Sequence, residues 1–264
     1  MIRAARIGSH VAGLLAGRAG PVGMLARFDR HVYLDLAGTV LVVTLADQPP
    51  GPLTLHLPAL PGWLGAGEFG AGMVQSGGGR IVLDGVPAWP SALPAGAGDP
   101  GRIAATLAAR AGAVPHQSAL LRAVLGAAPR PEALDFLARG IAADAPDLTA
   151  EATQALIGAG PGLTPAGDDL LAGALMALYA LAPRHAAMHG RVVGAAAREG
   201  TTSLSAAFLM AAAQGHGPAG WHDLVRALPD SAPASVARVM APGHSSGADT
   251  LAGFVLACAA LAPG

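Results

Sequence analysis

Gly167-Asp168-Asp169-Leu170-Leu171-Ala172-Gly173 returns 80 positions later as Gly247-Ala248-Asp249-Thr250-Leu251-Ala252-Gly253. Beyond it, Ala177, Ala180, Leu181, Ala182 and Pro183 fall on Ala257, Ala260, Leu261, Ala262 and Pro263. Each copy reads as a polar, glycine-containing turn that opens an apolar helix. Gly173, Ala177 and Ala180 form a small-residue stripe, and Gly253, Ala257 and Ala260 form its counterpart. Residues three and four apart share a helix face, and small side chains there let two backbones approach closely. The two helices are therefore expected to cross at the stripes. That would bring their N-terminal turns into one neighbourhood, within the ~20 Å length of a 13-residue helix.

Outward from the repeat the pattern stays helical. Apolar residues at three- and four-residue spacing mark 102–112, 117–125, 131–144, 151–157, 185–198, 203–214, 221–228 and 234–240 as further helices. The first hundred residues carry β signals instead. Stretches 22–28, 31–36, 39–45, 53–57, 72–75 and 80–83 read as short strands, with Asp29-Arg30, Ala37-Gly38 and Asp84-Gly85 as turns. The segment 87–100 is rich in Pro, Ala and Gly and reads as a linker. The expected fold is α+β. A small β-barrel or sandwich-like domain covers residues 1–98, and an all-α bundle containing the repeated turn-helix unit covers 99–264.

Composition excludes several functions. The chain of 264 residues is 52% hydrophobic and 12% charged, so much of it must be buried in a core or an oligomer interface. A net charge of -1 gives no electrostatic footprint for nucleic acid. The chain has no Lys, which rules out a Schiff-base lysine and a Walker-type phosphate loop. Its apolar runs, 170–182 and 251–262, fall short of the ~20 residues that span a bilayer. The single Cys258 reads as a small buried hydrophobe and fits a reducing, cytoplasmic setting. Residues near Val11–Gly17 read as an amphipathic helix rather than a signal peptide.

Three polar turns carry the candidate chemistry. The first is Gly158-Ala159-Gly160-Pro161-Gly162-Leu163-Thr164-Pro165-Ala166-Gly167-Asp168-Asp169. Thr164-Pro165 is a good helix start, and acids in a first turn suit the helix dipole. Those needs leave the upstream glycines unexplained, so Gly160, Gly162, Thr164, Gly167, Asp168 and Asp169 are candidate ligand residues. The second turn is Gly243-His244-Ser245-Ser246-Gly247-Ala248-Asp249. Ser246 and Asp249 have capping-box spacing, which leaves His244 and Ser245 over. The third is Thr201-Thr202-Ser203-Leu204-Ser205, where one hydroxyl, Thr202 or Ser203, caps a helix and Ser205 faces inward or bonds a carbonyl one turn back. Helix N-termini with hydroxyls form an anion cradle. The three acids argue against a bare anion and fit a phosphate with Mg²⁺, or a polar ligand with both donors and acceptors. No cofactor is evident beyond that Mg²⁺.

At these motifs the chain resembles a bacterial family, the AllH-like proteins, long described as a domain of unknown function. The resemblance rests on Gly-x-Gly-x-Gly-Leu-Thr-Pro-x-Gly-Asp-Asp at 158–169, Thr-Thr-x-x-Ser at 201–205 and His-Ser-Ser-Gly-x-Asp at 244–249. It covers roughly residues 100–264. It implies a subunit of oxamate carbamoyltransferase in allantoin catabolism, beside a partner resembling the acyl-CoA synthetase α subunit. That reaction exchanges a carbamoyl group between oxalurate and phosphate, giving oxamate and carbamoyl phosphate. His244 and Asp169 would then be the catalytic candidates. Thr201, Thr202, Ser203, Ser205, Ser245, Ser246, Gly247 and Asp249 would join the first-turn residues in holding a small anionic or phosphorylated metabolite. Two other readings stay open: a non-catalytic binding or scaffolding module that docks on the synthetase-like partner, and motifs that serve only to pack two helices. Whether the chain is itself a transferase, and whether it forms a homo-oligomer, is not decided at this level.

Overall fold

The structure is a computed structural model that describes residues 1–263. It divides into two compact units, Met1–Ala92 and a second that begins at Leu93.

The first unit holds β1 (Ile2–Arg3), β2 (Arg6–Gly8), α1 (Ser9–Leu15), β3 (Gly20–Arg27), β4 (His31–Leu36), β5 (Thr39–Leu45), β6 (Thr54–Leu57), β7 (Gly67–Gly70), β8 (Met73–Ser76), β9 (Gly79–Val82) and β10 (Ala88–Trp89). All ten strands form one sheet in the order β1-β9-β8-β7-β3-β4-β5-β6-β2-β10. The expected closed barrel or sandwich is therefore not the fold. It is a single open sheet, curled into a half-barrel. The curl has a simple cause. Only Ala4 and Ala5 separate β1 from β2, yet β1 is one edge and β2 lies next to the opposite edge. Such a link spans only about 11 Å, so the sheet must bend its two sides toward each other. No ladder joins β1 to β2 or to β10 to close it.

Strand polarity explains why this was hard to foresee. Hairpin signals lead to antiparallel neighbours, as in β3–β4–β5. The pairs β5–β6, β1–β9 and β2–β10 are parallel and come from connections that periodicity does not reveal. The run Val40-Leu41-Val42-Val43 is buried throughout, because β5 is central and α1 packs on it. By contrast β4 alternates, with Val32, Leu34 and Leu36 inward.

The second unit contains α2 (Pro100–Gly112), α3 (Ala119–Val124), α4 (Glu132–Ala142), α5 (Pro146–Leu156), α6 (Ala166–Leu181), α7 (Pro183–Gly200), α8 (Ser203–Ala212), α9 (Ala219–Arg226), α10 (Pro233–Met240) and α11 (Ser246–Leu261). It is not a regular bundle of equivalent amphipathic helices. The repeat helices α6 and α11 are apolar on nearly every face and form the centre, as an all-round apolar helix must. Around them α11 meets α2, α3, α4 and α10, while α6 meets α5, α7 and α8.

The repeat helices cross at their glycines. A Cβ on Gly173 would run into the Thr250 carbonyl, 2.8 Å from its carbon, and lie 3.0 Å from Phe254 N. A Cβ on Gly253 would do the same to Leu170 and Ala174, at 2.7 and 2.9 Å. Thr250 and Phe254 are the repeat equivalents of Leu170 and Ala174. The contact is thus reciprocal, as across a local two-fold axis. Among the described residues no helix is long and apolar enough to cross a membrane.

Candidate functional site

The two apolar helices bring the first and second polar turns together. Thr250 lies 77 positions beyond Gly173, and Ser246 lies the same 77 beyond Asp169. Ser246 is the residue whose hydroxyl acts on the Asp169 carboxyl. The shared offset means that α6 and α11 run side by side with their N-termini at the same end. Asp169 and Asp249 each sit one turn before the crossing glycine.

The three acids have different surroundings. Asp168 is fully buried and saturated. Its Oδ1 accepts from Gly158 N at 2.7 Å, and its Oδ2 accepts from Ser205 Oγ at 2.6 Å and from Thr201 Oγ1. It ties the glycine loop and the start of α8 to α6, so Thr201 and Ser205 are spent on a structural carboxylate. Thr202 caps α8 by accepting from Ser205 N at 3.0 Å and donates to Leu163 O at 2.6 Å. Ser203 is exposed at the first position of α8.

Asp169 is half-buried, and its Oδ2 is a buried atom with no hydrogen-bond partner. Burial pushes its carboxyl up to about 8; the charges of Asp249 and Asp168 add to this, and the Ser246 and Thr164 hydroxyls oppose it. Asp249 is almost fully buried. Its Oδ1 accepts from Ser118 Oγ at 2.5 Å, and its Oδ2 has no partner. Burial raises this carboxyl too, while the Ser118 and Ser245 hydroxyls and His116 pull it back. The charge of Asp249 raises Asp169, so Asp249 ionises first and the last proton of the pair stays on Asp169. Once Asp249 is ionised and while Asp169 holds its proton, the pair presents one donor and one acceptor.

The remaining motif residues divide. Gly158, Gly160 and Gly162 all have positive φ, which a left-handed backbone requires and which accounts for the glycine run. Gly167 and Gly247 pack against the ends of preceding helices, at Leu156 O and at Val239 and Met240 O. Thr164 does not cap α6, whose N-cap is Pro165, and Ser246 lies inside α11, whose N-cap is Ser245. His244 is exposed, with Nε2 at 2.8 Å from Gln117 Oε1. Residues 156–258 match the family model described as oxamate carbamoyltransferase subunit AllH.

This segment is similar to the AllH family.

The family is the one the motifs resemble, and the AllH-like segment runs from the end of α5 into α11. It holds both repeat turns and the Thr201–Ser205 turn. No solved structure matches the chain. Among the described residues no group of three or more His, Cys, Asp or Glu side chains is placed to hold a metal ion.

Reading the motifs alone misses one component, the loop between α2 and α3. There Ser118 caps α3, accepting from Leu121 N at 2.7 Å, and spends its own proton on Asp249. Gln117 meets His244, and His116 acts on Asp249. The repeat explains why Ser118 is needed. Ser246, which serves Asp169, has Ala166 as its counterpart, and alanine offers no hydroxyl to Asp249. Ser before Ala119-Leu120-Leu121 marks a helix start, but nothing local ties it to a carboxyl 131 positions away.

Proposed function

We propose that the paired first turns of α6 and α11 bind a small acid carrying an amide or carbamoyl group, as one subunit of a carbamoyltransferase assembly. The observation that carries this reading is the acid pair. Asp169 keeps a proton near neutral pH, Asp249 gives it up first, and each has a buried oxygen without a partner. A protonated carboxyl donates to a carbonyl oxygen and an ionised one accepts from an N–H, and an amide presents both side by side. This lessens the repulsion that three acids would otherwise offer an anionic ligand. Asp168 turns its carboxylate to three donors inside the protein and away from the ligand, and Asp169 carries no charge while protonated.

In the exchange implied by the family's description, the amide nitrogen of oxamate attacks the carbamoyl carbon of carbamoyl phosphate. A C–N bond forms, the C–O bond to phosphate breaks, and phosphate leaves with the electron pair. One N–H proton is lost as well, and the departing phosphate can take it up. A donor aimed at the carbamoyl oxygen stabilises the charge that grows there, and Asp169 is the group suited to it. Ionised Asp249 is suited to hold the amide N–H.

The test is transfer between carbamoyl phosphate and oxamate, measured for the chain alone and for its assembly. Asp169→Ala, which removes the donor, is expected to lower transfer by two orders of magnitude or more, on the scale of losing one oxyanion donor. A chain that binds oxamate and is inert alone, but supports transfer in the assembly, acts as a ligand-presenting subunit. That version is favoured by His244, which meets Gln117 instead of an acid. No binding of oxamate, oxalurate or carbamoyl phosphate under any of these conditions overturns the proposal.

A further inference from the structure

We propose that the α2–α3 loop is a third wall of this site and that His116 contacts the acidic end of the bound ligand through Nδ1. The inference rests on the reading above of where the ligand sits.

Two hydrogen bonds hold the loop against the second repeat. Ser118 Oγ donates to Asp249 Oδ1 at 2.5 Å, and Gln117 Oε1 meets His244 Nε2 at 2.8 Å. Ser118 is itself fixed as the cap of α3, so the loop cannot shift without losing that cap. Within it, His116 Nδ1 is a buried atom with no hydrogen-bond partner. Asp249 is 1% exposed, and its Oδ2 is likewise unpartnered. A buried polar atom without a partner costs stability, and here such atoms occur on His116, Asp249 and Asp169 around one pair of helix starts. A ligand that satisfies all three offers a carbonyl to Asp169, an N–H to Asp249 and an anionic oxygen to His116. A small amide or carbamoyl compound with a carboxylate or phosphate beside it meets that description.

His116 also supplies what the motifs lack. Arg184, Arg198 and Arg238 are the basic residues nearest to them in sequence, and none belongs to a motif. An imidazole N–H aimed at an anion is a charge-assisted donor when the ring is protonated and an ordinary donor when it is neutral. Nδ1 serves in either state if it carries the proton.

The experiment is calorimetric titration of the full chain with two probes, oxamate, which is an anionic amide, and oxamide, its neutral analogue. His116→Ala is expected to weaken oxamate binding about tenfold or more, the scale of one hydrogen bond to a charged group, and to leave oxamide binding unchanged. His116→Asn, whose amide nitrogen stands near the position of Nδ1, is expected to recover most of the oxamate affinity. Asp169→Ala is expected to weaken both probes. If His116→Ala binds oxamate as the wild type does, or weakens both probes equally, the His116 assignment is overturned while the acid-pair site stands. If the wild type binds neither probe, alone or in its assembly, the parent reading fails and takes this one with it. Should His116→Ala not fold, the comparison of His116→Asn with the wild type, and the shift of the His116 imidazole resonance on adding oxamate, decide the matter. An unmoved resonance overturns the assignment.

Discussion

Gly173→Ala is the sharpest test of the architecture. In an ordinary helix interior the substitution gains about 0.8–1 kcal/mol, because glycine is the costlier residue to order. At the α6–α11 crossing the added methyl meets backbone, the Thr250 carbonyl and Phe254 N, and no flexible side chain can step aside. The helices must part by more than about 1 Å, in a core where close packing resists displacement and overpacking costs about 1–3 kcal/mol or more. With backbone as the obstacle the upper end applies, and the net loss is about 2 kcal/mol after the propensity gain is credited. For a unit of this size that lowers the thermal midpoint by roughly 4–8 °C. The assay is thermal unfolding followed by circular dichroism. Gly194→Ala in α7 is the control. Its Cβ would find only the Ala213 side chain at 3.8 Å, so it should stabilise by up to about 1 kcal/mol. Reciprocity adds a second signature. Gly253→Ala should cost a similar amount, and the double variant should cost less than the sum, because helices already parted accept the second methyl more cheaply. A Gly173→Ala chain that melts at or above the wild-type temperature refutes the close crossing and the argument that it gathers the two turns.

Two further outcomes follow from the acids. Asp168→Ala strips one acceptor from Gly158 N, Thr201 Oγ1 and Ser205 Oγ. It should lower the urea midpoint by the equivalent of about 3 kcal/mol or more, and it should do so equally with or without ligand. Asp169 gives a pH dependence whose sign is set by its raised value of about 8 against an ordinary 3.8. Between those values the folded chain holds a proton that the unfolded chain has released, so stability falls as pH rises from about 4 to about 8. Asp169→Asn should flatten that slope in a series of melting curves, and an unchanged slope would show that Asp169 titrates normally.

The repeat made much of this legible, because its information is local. Gly173 and Gly253 stand out at one spacing on two apolar helices, and a close crossing is the natural use of such stripes. Thr202 and Ser203 were the two candidate caps, and packing selected Thr202. Other assignments could not be separated from alternatives without coordinates. Thr164-Pro165 looks like a cap and first turn, yet the helix begins one residue later, and the Thr164 hydroxyl acts on Asp169. Asp168 and Asp169 are adjacent and identical in type. One turns to three donors and the other toward Ser246, and only the packing of α8 and α11 distinguishes them. Ser118 and His116 carry no signal at all toward Asp249, because their relation to it crosses more than a hundred residues.

What the sequence determined by itself is therefore periodic or short-range: strands before helices, two equivalent helix starts, and small residues where backbones must touch. The remaining features are long-range and needed the packed chain. Two residues between β1 and β2 leave no length for those strands to lie apart, and so bend an open sheet where a barrel was expected. The difference between a satisfied Asp168 and an Asp169 that keeps its proton is a matter of which distant hydroxyls and charges surround each carboxyl. Solvation and hydrogen bonding are properties of the folded neighbourhood, and the order of residues along the chain does not contain them until the chain has packed.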